Sequence, residues 1–397
     1  MKPPTLTSFR LKNFKAVKDS GQIKLTPLTV FIGNNGSGKS SVIEGLETYQ
    51  SIVTDGLDKA MQQWHGFEHV WNKAARHDRR DRQTPSSQRR DEGRPSHTNP
   101  MSFYLAGHTG REAFRSTLEI NLGPGGNDLF IQSEELVEGK KFTIIRDSTG
   151  KATLHSPASP LRHGPFDDGQ SAIGGNTKVF VAGWQFLSLI PQSMGAPLPQ
   201  NRSGGQIRLA KDGSNIAEYL LGIYNLDAPT FNGIIESVQY VLPYARDFQA
   251  AITSELERTV YLQMTEREFK VPGWLLSTGT LRLLSLLALL RHPTPPPLII
   301  IEELENGLDP RTLQLLIEEF QTVVKSQRTQ LIITTHSPYL LDLLSLEHII
   351  LVERIDGTPT FTRPGDNKAL EAWSKKFSPG SLYTMGRLSG EALNAKG

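Results

Sequence analysis

Residues 28–48 read LTVFIGNNGSGKSSVIEGLET, and the fold of the whole chain turns on them. An apolar run, Leu28 to Ile32, has the length of a buried strand. It breaks into Gly33-Asn34-Asn35-Gly36-Ser37-Gly38-Lys39-Ser40, and the residues from Ser41 onward predict a helix. This is the P-loop spacing, G-x-x-x-x-G-K-[ST]. Glycines let the backbone bend around an anion with no Cβ in the way, so successive N–H groups face phosphate oxygens at the positive end of a helix. Gly33 through Ser41 are the candidate nucleotide contacts. Lys39 reaches the β- and γ-phosphates, and the Ser40 hydroxyl ligates Mg²⁺. A glycine turn that merely precedes Lys-Ser would look similar; the strand before it and the helix after it favour a nucleoside triphosphate such as ATP.

The composition narrows the remaining classes. At 397 residues with 37% hydrophobic content, the chain can bury one large core or two modest ones. A formal charge of +2 leaves no global field for nucleic acid or membrane, so any such contact is local. Cysteine is absent, which excludes disulfides, thiolate zinc sites and a cysteine nucleophile. The apolar stretches Leu281–Leu290 and Pro297–Ile301 are too short to span a bilayer, and the start has no signal-peptide core. The expectation is a soluble cytoplasmic protein without membrane contact.

Working outward, residues 6–32 alternate as strands, and Ser41 to about Trp64 predicts a helix. Residues 76–97 hold seven arginines against four acids with no large apolar residue, the signature of a flexible insertion that could also touch DNA. From Met101 to Leu154, short alternating runs separated by turn residues predict an antiparallel β subdomain. A loop over 155–176, a strand at Lys178–Ala182 and a helical stretch at 212–242 follow. Paired strands are expected at Arg258–Gln263 and Glu266–Val271. Four lobes result, at 1–65, 66–176, 177–265 and 266–397, within one α/β head.

Three further stretches bear on the chemistry. Leu298–Ile301 is a buried-strand run ending in Glu302-Glu303, and carboxylates at such a strand end sit where α/β sheets bind ligands. Glu302 would hold the Mg²⁺ shell through water, and Glu303 would polarise the attacking water. A solvated acidic turn is the competing reading, strengthened by Glu305; the chain order after a P-loop favours catalysis. Leu276-Ser277-Thr278-Gly279-Thr280 opens a helix, which alone is an ordinary N-cap. Gln330–Thr334 is a β-type run ending in Thr335-His336-Ser337-Pro338.

Together, SFRLKNFKAV, FIGNNGSGKSSVIE, LSTGTLRLLSLLALL, LIIIEELENGLDP and IITTHSPYLL resemble the ATP-binding-cassette type of ATPase head. They look most like the stand-alone ATPases of the SMC-like and overcoming-lysogenization-defect (OLD) group. The resemblance implies a P-loop NTPase head with a mixed central sheet, an antiparallel β subdomain and a helical subdomain. It also implies a homodimer or higher oligomer in which Ser277 and Gly279 of one subunit close on the γ-phosphate held by the other. His336 becomes the switch histidine, Asp309 part of the dimer seam, and Gln185 the glutamine that senses Mg²⁺ and water. Two departures stand out: Glu302 replaces the Asp of transporter cassettes, and Ser-Thr-Gly-Thr replaces Ser-Gly-Gly-Gln. No D-x-D pair follows Leu351-Val352-Glu353, so the Toprim nuclease of two-domain relatives is expected to be missing.

The function expected on this basis is a Mg²⁺-dependent ATPase gating a separately encoded effector, a nuclease or toxin, in bacterial anti-phage defence. The alternative is a DNA-binding SMC-like ATPase of repair or chromosome maintenance that uses residues 76–97.

Overall fold

Long apolar patterns became regular elements, and short ones were decided by their surroundings. The computed structural model describes residues 3–72, 99–123, 128–139, 142–146, 152–156, 159–163, 169–201, 207–253 and 258–389. The arginine-rich 76–97 segment lies outside them. In chain order the elements that matter are strand β1 (Thr5–Phe14), β2 (Leu28–Ile32), helix α1 (Lys39–Asp55), β3 (Met101–Thr109), β4 (Glu112–Leu122), β5 (Leu129–Glu138) and α2 (Gly175–Ala182). Then come β6 (Gln185–Leu187), α3 (Ile216–Leu226), α4 (Ala228–Val241), β7 (Ala245–Ile252), β8 (Thr259–Glu266), α5 (Thr278–Leu290), β9 (Leu298–Ile301), α6 (Pro310–Lys325), β10 (Gln330–Thr335), β11 (Ile349–Ile355) and β12 (Thr358–Thr362).

The fold is mixed α/β, and the chain forms two compact units. The first comprises Met1–Thr26, Phe31–Trp184 and Ile350–Pro364; the second comprises Pro27–Val30, Gln185–Ile349 and Gly365–Gly397. These units do not follow the four chain-order lobes, because hydrogen-bonded strands come from distant parts of the sequence. β1, from the expected P-loop lobe, pairs antiparallel with β3 of the expected β subdomain, placing Leu11 opposite Phe103.

In the first unit a nine-stranded antiparallel sheet runs through β5-β4-β3-β1. Leu11, Phe103 and Leu118 share one register row and one fully buried face. α1 lies against that face: Tyr49 meets Phe103 at 6.1 Å between ring centroids, and its hydroxyl is 2.7 Å from Ser116 Oγ. Val42, Ile43, Leu46, Tyr49, Ile52 and Val53 supply the buried stripe of α1. Each fully buried side chain of this kind is worth roughly 1.5–3 kcal/mol relative to exposure. The helix is shorter than its sequence pattern, since Gly56 at φ 94° breaks it before a separate helix, Leu57–Gln62.

The expected strand at Lys178–Ala182 is instead part of helix α2. Glu138 of β5 decides this: its carboxylate accepts from the Thr177 N–H and hydroxyl, satisfying donors at the helix start. Phe180 then packs edge-on against Phe114 and Trp184. A four-residue apolar run has no intrinsic preference strong enough to resist that cap.

In the second unit β6, β9 and β10 are parallel, with Leu187 opposite Ile301 and Ile301 opposite Ile333. β9 and β10 are buried along their whole length, as parallel strands covered on both faces should be. Within the second unit the strand order runs β6-β9-β10 and on to the Leu28–Val30 part of β2. β2 contributes Leu28–Val30 to the second unit and Phe31–Ile32 to the first. α3, α4, α5 and α6 enclose one continuous core with Leu187, Ile299, Ile301 and Ile333. The expected 212–242 helix is divided at Asp227, which caps the N-terminus of α4 through Thr230.

Candidate functional site

In the first unit the P-loop connects β2 to α1. Its backbone demands glycine. At Gly33 a Cβ would collide with the Val352 carbonyl oxygen of β11. At Gly38 φ is 116°, in the region that favours glycine, and a Cβ would stand 2.8 Å from Pro359. Gly38 is also the N-cap of the 17-residue α1, which has no side-chain cap and no acidic residue in its first turn. Its positive end therefore has no carboxylate from its own first turn set against it.

The surrounding groups are those a phosphate needs. Lys39 is buried, and its ammonium donates to the Gly33 and Asn34 carbonyl oxygens at 2.6 and 3.1 Å. The Ser37 N–H donates to Asn34 O at 3.1 Å, whereas the buried Ser37 Oγ has no partner among the described residues. Asn34, Asn35, Gly36 and Ser40 are exposed, and Ser41 is buried one residue into the helix. An ammonium, an uncapped helix start and an unpartnered hydroxyl fit a polyphosphate, and the exposed Ser40 hydroxyl is chemically suited to Mg²⁺.

In the second unit the carboxylates stand at the end of β9. Glu302 N–H donates to Leu187 O at 2.9 Å, extending the β6–β9 pairing by one residue. Glu303 has φ 49°, a left-handed conformation that costs a non-glycine residue about 1 kcal/mol or more. Three contacts impose it: Glu303 N–H donates to Thr334 Oγ1 at 3.0 Å, Leu304 N–H to Thr334 O at 3.2 Å, and Asn306 Nδ2 to the Glu303 carboxylate. The exposed Glu303 side chain is thus held on a strained turn anchored to β10.

His336, just beyond β10, is 3.1 Å from Glu305 through Nδ1. Asp309 caps α6, accepting from the Arg311 and Thr312 N–H groups and from the Thr312 hydroxyl at 2.6 Å. The Thr312 hydroxyl, more than any other contact, holds the Asp309 carboxyl below its usual 3.8. Asp309→Ala should cost about 1 kcal/mol at neutral pH. The folded-state pKa is depressed, so this contribution is present above the ordinary value and disappears as pH falls through the folded value. Urea unfolding of parent and variant should show the gap at pH 7, and the gap should narrow as the pH is lowered through the folded-state value.

Ser277 caps α5, accepting from Thr280 N–H at 3.1 Å. Gly279 has no room for a side chain: a Cβ would lie 2.6 Å from the Gly307 carbonyl oxygen. The start of α5 and the acidic turn of the same unit therefore touch backbone to backbone. Arg282, one turn further along α5, donates to Leu189 O at 2.8 Å. Burial lowers its pKa, and the charges of Glu303 and Glu305 partly oppose that shift. Sequence reading passed over Arg282; the only signal was its position four residues after Thr278 on a helix start already singled out.

Gln185 is not brought to the strand ends. It lies opposite Ile299, three residues before Glu302, and its Nε2 donates to Phe186 O and Leu209 O at 3.1 and 2.9 Å. Its amide is buried and holds the chain after the second unit's edge strand in place. Among the described residues no group of three His, Asp or Glu side chains forms a ready metal cluster, and no helix is long and apolar enough to cross a membrane.

Solved structures similar to this chain include head domains of SMC proteins. One is an SMC head bound to the C-winged-helix domain of ScpA, at 13% identity, covering 90% of this chain and 98% of that one, with a TM-score of 0.47. Another is the SMC head domain from Thermotoga maritima, at 15% identity, 90% and 98% coverage and a TM-score of 0.38. A third is an Smc head with an extended coiled coil bound to the C-terminal domain of ScpA derived from Pyrococcus furiosus, at 12% identity, 94% and 99% coverage and a TM-score of 0.46. No curated protein sequence matches the chain. Residues 28–342, from the strand of the P-loop to the helix after His336, match a single family along their whole length, and the chain belongs to that family, described as "AAA domain, putative AbiEii toxin, Type IV TA system".

Proposed function

We propose that this protein is a Mg²⁺-dependent ATPase whose hydrolytic state is completed by a second copy, and that its nucleotide state gates a separately encoded effector. The observation that carries the first part is the P-loop: a buried Lys39 ammonium, the uncapped start of α1 and the unpartnered Ser37 hydroxyl. Gly33 through Ser41 hold the triphosphate, and Ser40 and Glu302 hold Mg²⁺. Bound Mg²⁺ supplies charge neutralisation of the phosphates. Glu303 takes a proton from the attacking water, and His336 steadies the reacting end of the nucleotide.

Completion by a second copy follows from charge. Two triphosphates are fully surrounded by donors only when two half-sites meet, so ATP favours the closed pair and its hydrolysis releases it. Ser277, exposed at the start of α5, and Gly279 are the donors offered to the other copy's nucleotide. Ser277→Arg places a bulky cation there. It should leave the monomer's melting temperature within about 2 °C while abolishing ATP-dependent association in sedimentation velocity. Unchanged association and turnover would remove the shared site.

The family description, a putative toxin of a type IV toxin–antitoxin system, supports a toxin–antitoxin link, and the effector gated in anti-phage defence is our extension of it. Co-purification with the product of the neighbouring reading frame, dependent on ATP, tests it. DNA binding through the arginines of 76–97 is the competing reading. It requires affinity that falls steeply with salt and that weakens when Arg79, Arg80, Arg89 and Arg90 are replaced.

A further inference from the structure

The second unit holds a carboxylate that none of these roles uses. Glu305 sits two residues after Glu303, and its side chain is only 10% exposed against 45% for His336. A single oxygen, Oε1, accepts from the His336 backbone N–H at 2.6 Å and stands 3.1 Å from His336 Nδ1. The other oxygen is enclosed and has no hydrogen-bond partner among the described residues. The positive charge it feels from its surroundings is that of the desolvated Arg282 guanidinium. One oxygen of the carboxylate thus accepts from the main chain of His336 and lies in close contact with its ring nitrogen.

We propose that Glu305 is the positioning residue of His336, fixing both the rotamer and the tautomer of its ring. An ionised carboxylate can only accept a hydrogen bond, so the ring nitrogen facing it carries a proton. Nδ1–H is committed to Glu305, and Nε2 is the nitrogen left to meet a ligand. The backbone contact matters as much as the ring contact. The backbone hydrogen bond holds the Glu305 oxygen beside the imidazole, so a ring that swings about its Cα–Cβ bond gives up the 3.1 Å Nδ1 contact. Histidines that bind or orient reacting groups are set in this way by the partner of their other nitrogen. The register of the two parallel strands makes the arrangement available: β9 ends at Ile301 opposite Ile333, so the turn after β9 and the turn after β10 emerge side by side.

The catalytic consequence rests on the ATPase reading above, whereas the tautomer belongs to the protein alone. The test has two arms for that reason. In the full-length protein labelled with ¹⁵N-histidine and without nucleotide, long-range ¹H–¹⁵N spectra should show His336 protonated at Nδ1. Glu305→Ala should shift the ring toward the Nε2–H form that histidine prefers in water, and Glu305→Gln, which keeps an acceptor oxygen, should retain the parent pattern. An Nε2–H ring in the parent, or an Nδ1–H ring that persists in Glu305→Ala, would overturn the proposal.

In steady-state hydrolysis Glu305→Ala should lower kcat by about tenfold or more, with KM for ATP changed less than about twofold. Glu305→Gln should recover most of that loss, and Glu305→Ala combined with His336→Ala should be no slower than His336→Ala alone. Losses that multiply in the double variant would mean that Glu305 acts elsewhere. A parent protein that hydrolyses no ATP would sink the function assigned above and leave the spectroscopic result to stand or fall by itself.

Discussion

Glu303→Gln is expected to slow phosphate release by about 10²–10⁴-fold while leaving ATP binding intact. The exchange is nearly isosteric, and its amide oxygen can still accept from Asn306 Nδ2, so the strained turn at φ 49° keeps its supports. The carboxylate's capacity to receive a proton is lost. Because closure precedes hydrolysis in the proposed cycle, the variant should accumulate as an ATP-bound pair that parent protein forms only transiently. Phosphate release measured with excess Mg²⁺ and ATP, together with sedimentation velocity under the same conditions, checks both halves. Hydrolysis at the parent rate would assign the base to another group, and loss of both binding and fold would show that the turn depends on the charge.

Lys39→Ala acts one step earlier. Lys39 is buried, and its ammonium donates to two carbonyl oxygens of its own loop, which preorganise it on the cradle. Hydrogen bonds to charged groups contribute about 1.5–3 kcal/mol each, so losing one such donor to a phosphate should weaken ATP by roughly ten- to a hundredfold. At a concentration one hundred times its Kd, ATP should stabilise the parent by about 2.7 kcal/mol. With affinity ten- to a hundredfold weaker at the same ATP concentration, that stabilisation should fall to about 1.4–0.4 kcal/mol in the variant's thermal unfolding. An equal shift in both proteins would mean that nucleotide stability does not come through this loop.

The two variants together separate binding from chemistry. Glu303→Gln should bind and stall; Lys39→Ala should bind ATP more weakly. Ser277→Arg adds a third phenotype, binding without association, and the three should be distinguishable in one set of sedimentation and turnover experiments.

Sequence legibility tracked how local each requirement is. The P-loop was readable because Gly33, Gly38 and Lys39 act through a backbone path only eight residues long, and few side chains other than glycine tolerate that path. The buried strand before Glu302 was readable because a fully covered parallel strand must be continuously apolar. α2 was misread as a strand because its cap comes from Glu138, thirty-nine residues earlier in the chain. Gln185 was singled out by residue type alone, and its register opposite Ile299 puts it on the wrong part of its strand for that role.

By itself, then, the order of residues determined the mixed α/β class, the loop suited to a triphosphate and the strand-end carboxylates, since each depends on neighbours within a few positions. Only tertiary structure decided which groups meet. Glu305 and His336 lie thirty-one residues apart and come together because β9 pairs in parallel with β10, which runs only two residues past the end of β9 before His336. Gly279 was recognisable as part of a helix start, but its need to remain glycine appears only when the Gly307 carbonyl is packed against it. Hydrogen-bond partners of that kind are set by register and close packing, quantities that no stretch of sequence carries alone.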